Sequence, residues 1–184
     1  MQDFENKLNK IIAAISKLIQ QWKSLNDDGY KLFKSLSDIR LQMNKLKLME
    51  DDENFDKELI ENELLIKSEE ILRKSEFISI IIYKSENILE NIRQNQKKIL
   101  ALSELSEEFL KSFNRSSSNF FLFLNQTIEQ LSQLIYMLEK ECLFHSSALW
   151  DFATNDNNDL NKFLCIAWEN QIYLDNYILS QFLN

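Results

Sequence analysis

His145 is the only histidine in the chain, and it follows Cys142 by three residues. On a helix that spacing places thiol and imidazole on one face, an arrangement that lets an imidazole activate a sulfur nucleophile. Packing along an apolar stripe produces the same spacing, and His145 is read here as a structural residue of such a stripe. The second cysteine, Cys165, forms no CxxC pair with Cys142, and one histidine cannot complete the roughly four-ligand set of structural zinc. The carboxylate di-metal sites of helical bundles need Glu-x-x-His motifs, and the chain has none. A phosphate-cradling loop needs several glycines, and Gly29 is the only one. No catalytic, cofactor-binding or metal-ligating residue is therefore assigned, and the chain is expected not to be an enzyme.

The elements that carry these residues are helical by exclusion and by pattern. The chain has 184 residues, 45% of them apolar and 27% charged, with no proline. Tight hairpins need glycine and proline at special backbone angles, so most β architectures are excluded, while the apolar content is enough for a core. Three polar clusters, Glu50 to Asn54, Asn114 to Asn119 and Thr154 to Asn158, favour caps and turns. They predict helices near 4–49, 55–113, 119–153 and 158–183.

Within the first segment, Phe4, Leu8, Ile11, Ile15, Leu18, Trp22 and Leu25 recur in steps of four and three, the 3.5-residue period of helices that wrap around one another. Gly29, Leu32, Leu36, Ile39, Met43 and Leu46 continue in phase. A hairpin at Asp27-Asp28-Gly29 has no reason to preserve that phase, so one continuous helix is favoured over a turn. Gly29 then lies on the seam, where a missing side chain admits a close backbone or a bulky ring such as tryptophan. The second segment carries Ile78, Ile81, Ser85, Ile88, Ile92, Asn95, Ile99, Leu102, Ser106, Phe109 and Phe113, with Asn95 either fixing register or marking a kink. Phe77 to Tyr83 resembles a strand in isolation, and the helical period on both sides overrides it. The third stripe is Phe121, Leu124, Ile128, Leu131, Ile135, Leu138, Cys142, His145, Leu149 and Phe152. The fourth is Leu160, Leu164, Ala167, Leu174 and Ile178. The expected fold is all-α: an elongated antiparallel helical bundle or coiled coil of about four helices, in one domain over 1–184. Helices of such unequal length cannot all cover one another, which points toward an interaction protein docking helix on helix with a second helical subunit.

Net charge is −8, and a general nucleic-acid binder would instead carry a basic face, so no direct nucleic-acid partner is expected. Residues 1–48 hold nine basic and five acidic side chains, whereas 49–72 hold ten acidic against Lys57 and Lys67. That imbalance reads as a solvated acidic face or as a docking patch for a basic partner. No uncharged apolar run approaches the length of a membrane span, and Met-Gln-Asp-Phe-Glu does not begin a signal peptide. The two cysteines read as buried thiols of an intracellular reducing compartment, nuclear or cytoplasmic. The glycosylation-like triplets at Asn114 and Asn125 are then chance matches.

Two windows carry a family resemblance. Trp22, Leu25, Asn26, Asp27, Gly29 and Tyr30 form Trp-x-x-Leu-Asn-Asp-x-Gly-Tyr. Met137, Lys140, Glu141 and Leu143 form Met-x-x-Lys-Glu-x-Leu, followed by Ala153, by Asp159-Leu160, and by Trp168-x-x-Gln171-x-Tyr173. Both windows, covering about a third of the chain, resemble motifs of the cyclin-dependent kinase 2-interacting protein family. Ile172 stands where that family has proline, and His145-Ser146 where it has a basic pair. The resemblance implies a small non-catalytic helical adaptor. Its implied partners are an AAA-type ATPase assembly of replication and ribosome maturation, genome-maintenance factors and a cyclin-dependent kinase. It further implies Trp22, Asn26, Asp27, Gly29, Tyr30, Trp168, Gln171 and Tyr173 as partner-binding positions. A coiled-coil subunit of an unrelated tethering or kinetochore-like complex needs only the periodicity.

Overall fold

The computed structural model of the chain describes residues 2–49, 56–113 and 118–183. Among them are five α-helices and no strand: α1 (Gln2–Met49), α2 (Lys57–Phe113), α3 (Ser118–Thr154), α4 (Asn158–Asn170) and α5 (Asn176–Ser180). The cluster Glu50 to Asn54 and Asn114 to Ser117 lie outside the described residues, and the side chains of Phe109 and Phe113 do too.

α1 runs unbroken through Asp27-Asp28-Gly29, as the uninterrupted phase predicts. α2 runs unbroken through both Phe77 to Tyr83 and Asn95, so Asn95 is not a break. Its amide instead donates to the carbonyl of Asn91 at 2.9 Å, within its own helix. Buried Thr127 and Ser106 likewise donate to their own helices, to Phe123 and Ser103, each at 2.8 Å. Such local bonds satisfy polar groups on a seam without a cross-helix partner.

The centre line of α3 differs from the stripe read in the sequence. Phe120, Leu124, Thr127, Leu131, Leu134, Leu138, Glu141, His145, Ala148 and Phe152 are all buried, in unbroken steps of four and three. Phe121, Ile128 and Leu149 are only half-buried at its flank. Hydropathy passes over Thr127 and Glu141, so the line through them is invisible to a count of apolar residues.

The expected fourth helix over 158–183 is two helices. α4 is capped at its start by Asn157, whose side chain accepts from the backbone of Asp159 and Leu160 at 2.9 and 3.2 Å. It ends at Gln171, which adopts the left-handed conformation (φ 47°, ψ 59°) and donates its N–H to the carbonyl of Trp168 at 3.2 Å. That closure is the usual way a helix ends, although glycine is the usual occupant. Asp175 then caps α5, accepting from Tyr177 N–H at 2.7 Å.

The helices pack as two units. One comprises Met1–Ser24, Ser85–Glu141 and Tyr173–Asn184, the other Leu25–Lys84 and Cys142–Ile172. The first is centred on Leu8, Ile15, Ile19 and Trp22 of α1 with Ile92, Ile99, Leu131 and Leu138. Within it, buried Glu141 accepts the backbone N–H of Tyr173 at 2.7 Å, and Asp175 N–H lies 3.4 Å from Met137 Sδ. The second is centred on Phe33, Leu36, Ile78, Ile82, Ala148, Phe152, Leu164 and Trp168.

Candidate functional site

The second unit sets Gly29 of the first resemblance window against Trp168 of the second. Gly29 on α1 is buried, and a Cβ built on it would lie 2.9 Å from Cζ2 of Trp168 and 3.4 Å from Cγ2 of Ile81. Only glycine allows the indole to lie this close to α1. Trp168 is fully buried. His145 stacks on it with ring centres 4.0 Å apart and planes 12° from parallel. Phe33 lies 5.0 Å away and Phe144 meets it edge-on at 6.5 Å. The imidazole thus spends its face on the indole.

Around that cluster, α1 also holds the junction of α3 and α4. Arg40 donates to Asp156 and, at 3.2 Å, to the carbonyl of Phe152, with its guanidinium 4.7 Å from the Phe152 ring centre. Asn44 donates to Asn158 Oδ1 at 3.0 Å and to the Asp156 carbonyl at 3.3 Å. The polar cluster Thr154 to Asn158 is therefore a connection clamped from the side by α1. Cys165 is half-buried rather than buried. Its thiol pKa is raised, chiefly by burial and against the lowering effect of a hydrogen bond from Ser37, which keeps it protonated and sluggish. Cys142 is buried and forms no disulfide.

The positions implied by the resemblance fall into two groups. Trp22, Asn26, Gly29 and Trp168 are covered by the chain itself. Asp27 and Tyr173 are exposed, and Tyr30 and Gln171 are half-covered. Gly29, Tyr30 and Trp168 are neighbours: Tyr30 meets Glu169 and lies beside Lys34 (5.8 Å from ammonium to ring centre), and burial followed by the Glu169 carboxylate raises its phenol pKa. Trp22 and Tyr173 belong to the other unit.

A surface that sequence reasoning missed lies on α2 of the second unit. The stripes singled out by hydropathy are used internally: Leu36 and Ile92 are fully buried. On α2, Ile60 and Ile78 face inward, while Leu59, Leu65, Ile66, Leu72, Phe77, Ile80 and Tyr83 are 47–65% exposed. The signal was present. Leu65 and Leu72, and Leu59 and Ile66, repeat at seven residues out of phase with Ile60, Leu64, Ile71 and Ile78. Among the described residues no group of three His, Cys, Asp or Glu side chains is placed to hold a metal ion. No described helix is long and apolar enough to cross a membrane. Comparison with models of known families and with curated proteins yields no match.

Proposed function

We propose that the chain is a non-catalytic helical adaptor that docks other proteins helix on helix. The observation that carries this reading is the outer face of α2, where seven large apolar side chains lie exposed within 25 residues while the same stretch turns Ile60, Ile78 and Ile82 inward. Contiguous apolar surface of this kind is what interaction sites are made of.

The motif resemblance supplies the partner class: an AAA-type ATPase assembly acting in replication and ribosome maturation, with genome-maintenance factors and a cyclin-dependent kinase as further candidates. The meeting of Gly29, Tyr30 and Trp168 supports treating the two windows as one structural feature. The test is affinity purification of the tagged chain at native expression, with partners identified by mass. ATPase subunits should be recovered in stoichiometric amount. Asp27→Lys combined with Tyr173→Ala, both exposed, should lose them at an unchanged melting temperature. Recovery of no stoichiometric partner by the unaltered chain would remove the adaptor reading.

A second reading is a coiled-coil subunit of a tethering or kinetochore-like complex, favoured by the burial of Trp22, Gly29 and Trp168 in the chain's own interior. Under it, the Asp27 and Tyr173 substitutions leave every partner in place.

A further inference from the structure

Residues 173–183 form an arm that is fastened differently from the long helices beneath it. The arm packs within the first unit, and of its eleven residues Ile178, Leu179 and Phe182 are buried. Its root is tied by the Tyr173 N–H, donated to Glu141 at 2.7 Å, and by the Asp175 N–H, 3.4 Å from Met137 Sδ. Past α5, the N–H groups of Gln181, Phe182 and Leu183 donate to carbonyls three residues back, within the arm itself. Just before the root, Gln171 holds a left-handed backbone that is strained for a residue with a Cβ. The arm also leaves room beside itself. A cleft of about 500 Å³ lies next to Asp175 and Ile178, against Ser132, Tyr136 and Met137 of α3. A second, of about 240 Å³, lies next to Gln181 and Phe182, between Ile12 of α1 and Thr127 of α3.

Three buried side chains must therefore offset the ordering of eleven residues. Apolar burial favours docking in proportion to the area hidden, and each residue fixed opposes it. For so short an arm the two are of similar size. The long helices of the same unit bury Leu8, Ile15, Ile19, Leu131, Leu134 and Leu138 and have no such balance. We propose that residues 173–183 are a detachable strap. It closes a groove between α1 and α3 of the first unit, comes away as one piece while those helices stay folded, and leaves a groove that accepts the same sequence in trans. The device needs no partner protein and holds whether or not the chain is an adaptor.

Residue-resolved hydrogen exchange of the unaltered full chain is the first test. A strap that opens as one piece gives the amides of Tyr173, Leu179 and Phe182 a single common protection, about hundredfold, with those of Leu131 and Leu138 protected at least about hundredfold further. Protection that falls steadily from Tyr173 to Phe182 is a fraying chain end, and protection equal to that of α3 is no separate release. Either result overturns the proposal.

The second test is capture in trans. A fluorescent peptide with the sequence of residues 171–183 is titrated into the full chain carrying Ile178→Ser with Phe182→Ser, whose own strap is weakened. A tethered segment has an effective concentration in the millimolar range, so about hundredfold protection in cis corresponds to a Kd on the order of 10 µM in trans. The unaltered chain should bind the peptide about hundredfold more weakly, because its groove is open for only that fraction of the time. A peptide carrying the same two serines should not bind. Absence of capture by the serine variant, equal capture by the unaltered chain, or equal binding of the serine peptide would each overturn the proposal. Circular dichroism and melting show whether the serine variant keeps its long helices; if it does not, the exchange pattern of the unaltered chain decides alone.

Discussion

Gly29 shows how one atom's absence sets the packing of the second unit. In an isolated helix, Gly29→Ala would stabilise by about 1 kcal/mol through helix propensity. Here the added methyl would sit 2.9 Å from the rigid Trp168 indole, and overpacking of a buried ring costs about 1–3 kcal/mol. The clash outweighs the propensity, so Gly29→Ala should lower the melting temperature. In a Trp168→Phe background the benzo carbon Cζ2 is gone, and the same change should become neutral or stabilising; a double-mutant cycle by thermal unfolding reads the difference. Equal penalties in both backgrounds would show that the methyl and the indole do not meet. Gln171 has the opposite sign. Its left-handed backbone (φ 47°) is strained for a side chain with a Cβ, by about 1–2 kcal/mol, and glycine relieves that while adding freedom to the unfolded chain. Gln171→Gly should therefore stabilise by about 0.5–1 kcal/mol in urea titration, and a loss of stability would place Gln171 in some other backbone conformation.

At the scale of elements, the connection between α3 and α4 depends on two devices that belong to different helices. Asn157 caps α4 through two backbone N–H groups, and Asn157→Ala should cost about 1 kcal/mol. Arg40→Ala removes the Asp156 pair, the bond to the Phe152 carbonyl and the contact with the Phe152 ring together. Because Asp156 is largely exposed, solvent screens much of the ion pair, and the expected loss is about 1–2 kcal/mol, most of it from the ring and carbonyl contacts. Chemical denaturation of the two variants and their combination should show costs that exceed additivity, since both hold one turn; independent costs would mean the clamp and the cap stabilise separate structure. The helices themselves were legible because period and phase are carried by many residues at once, and α1 kept its phase through Gly29. The break after Asn170 was not legible, because Gln171 is an ordinary helix former and no glycine or proline announces the turn. The seam of α3 was legible at Leu124, Leu131, Ile135, Leu138, Cys142, His145 and Phe152 but not at Thr127 and Glu141, which are buried by position, with their polarity met locally or by the Tyr173 backbone, because hydropathy ranks residues by type alone. The outer face of α2 was not legible, because over 57–77 apolar residues fall on both sides of the helix, Ile60, Leu64 and Ile71 on one and Leu59, Leu65, Ile66 and Leu72 on the other, and sequence alone does not say which side is covered.

For the whole molecule, net charge and exposed apolar surface oppose each other. At neutral pH the chain carries a formal −8, a charge that opposes association of like copies, while the α2 face presents seven large apolar side chains that favour it. The sequence isoelectric point is about 4.8. As pH falls toward it, the net charge of the chain goes to zero, the overall repulsion fades, and the apolar face is free to pair with itself. Light scattering at fixed ionic strength should therefore rise steeply near pH 4.8. Leu65→Ser with Leu72→Ser leaves every charge in place and removes two of the apolar residues, so it should blunt the rise without moving its midpoint. Glu69→Lys with Glu76→Lys changes the charge by four, from −8 to −4, and should shift the rise to higher pH. If the serine variant associates as readily as the unaltered chain, attraction must come from elsewhere on the surface, Trp150 and Phe163 being the next most exposed large rings of the same unit. The α2 face would then be an apolar surface too well spaced by charge to act alone, and the adaptor reading would need a different docking element.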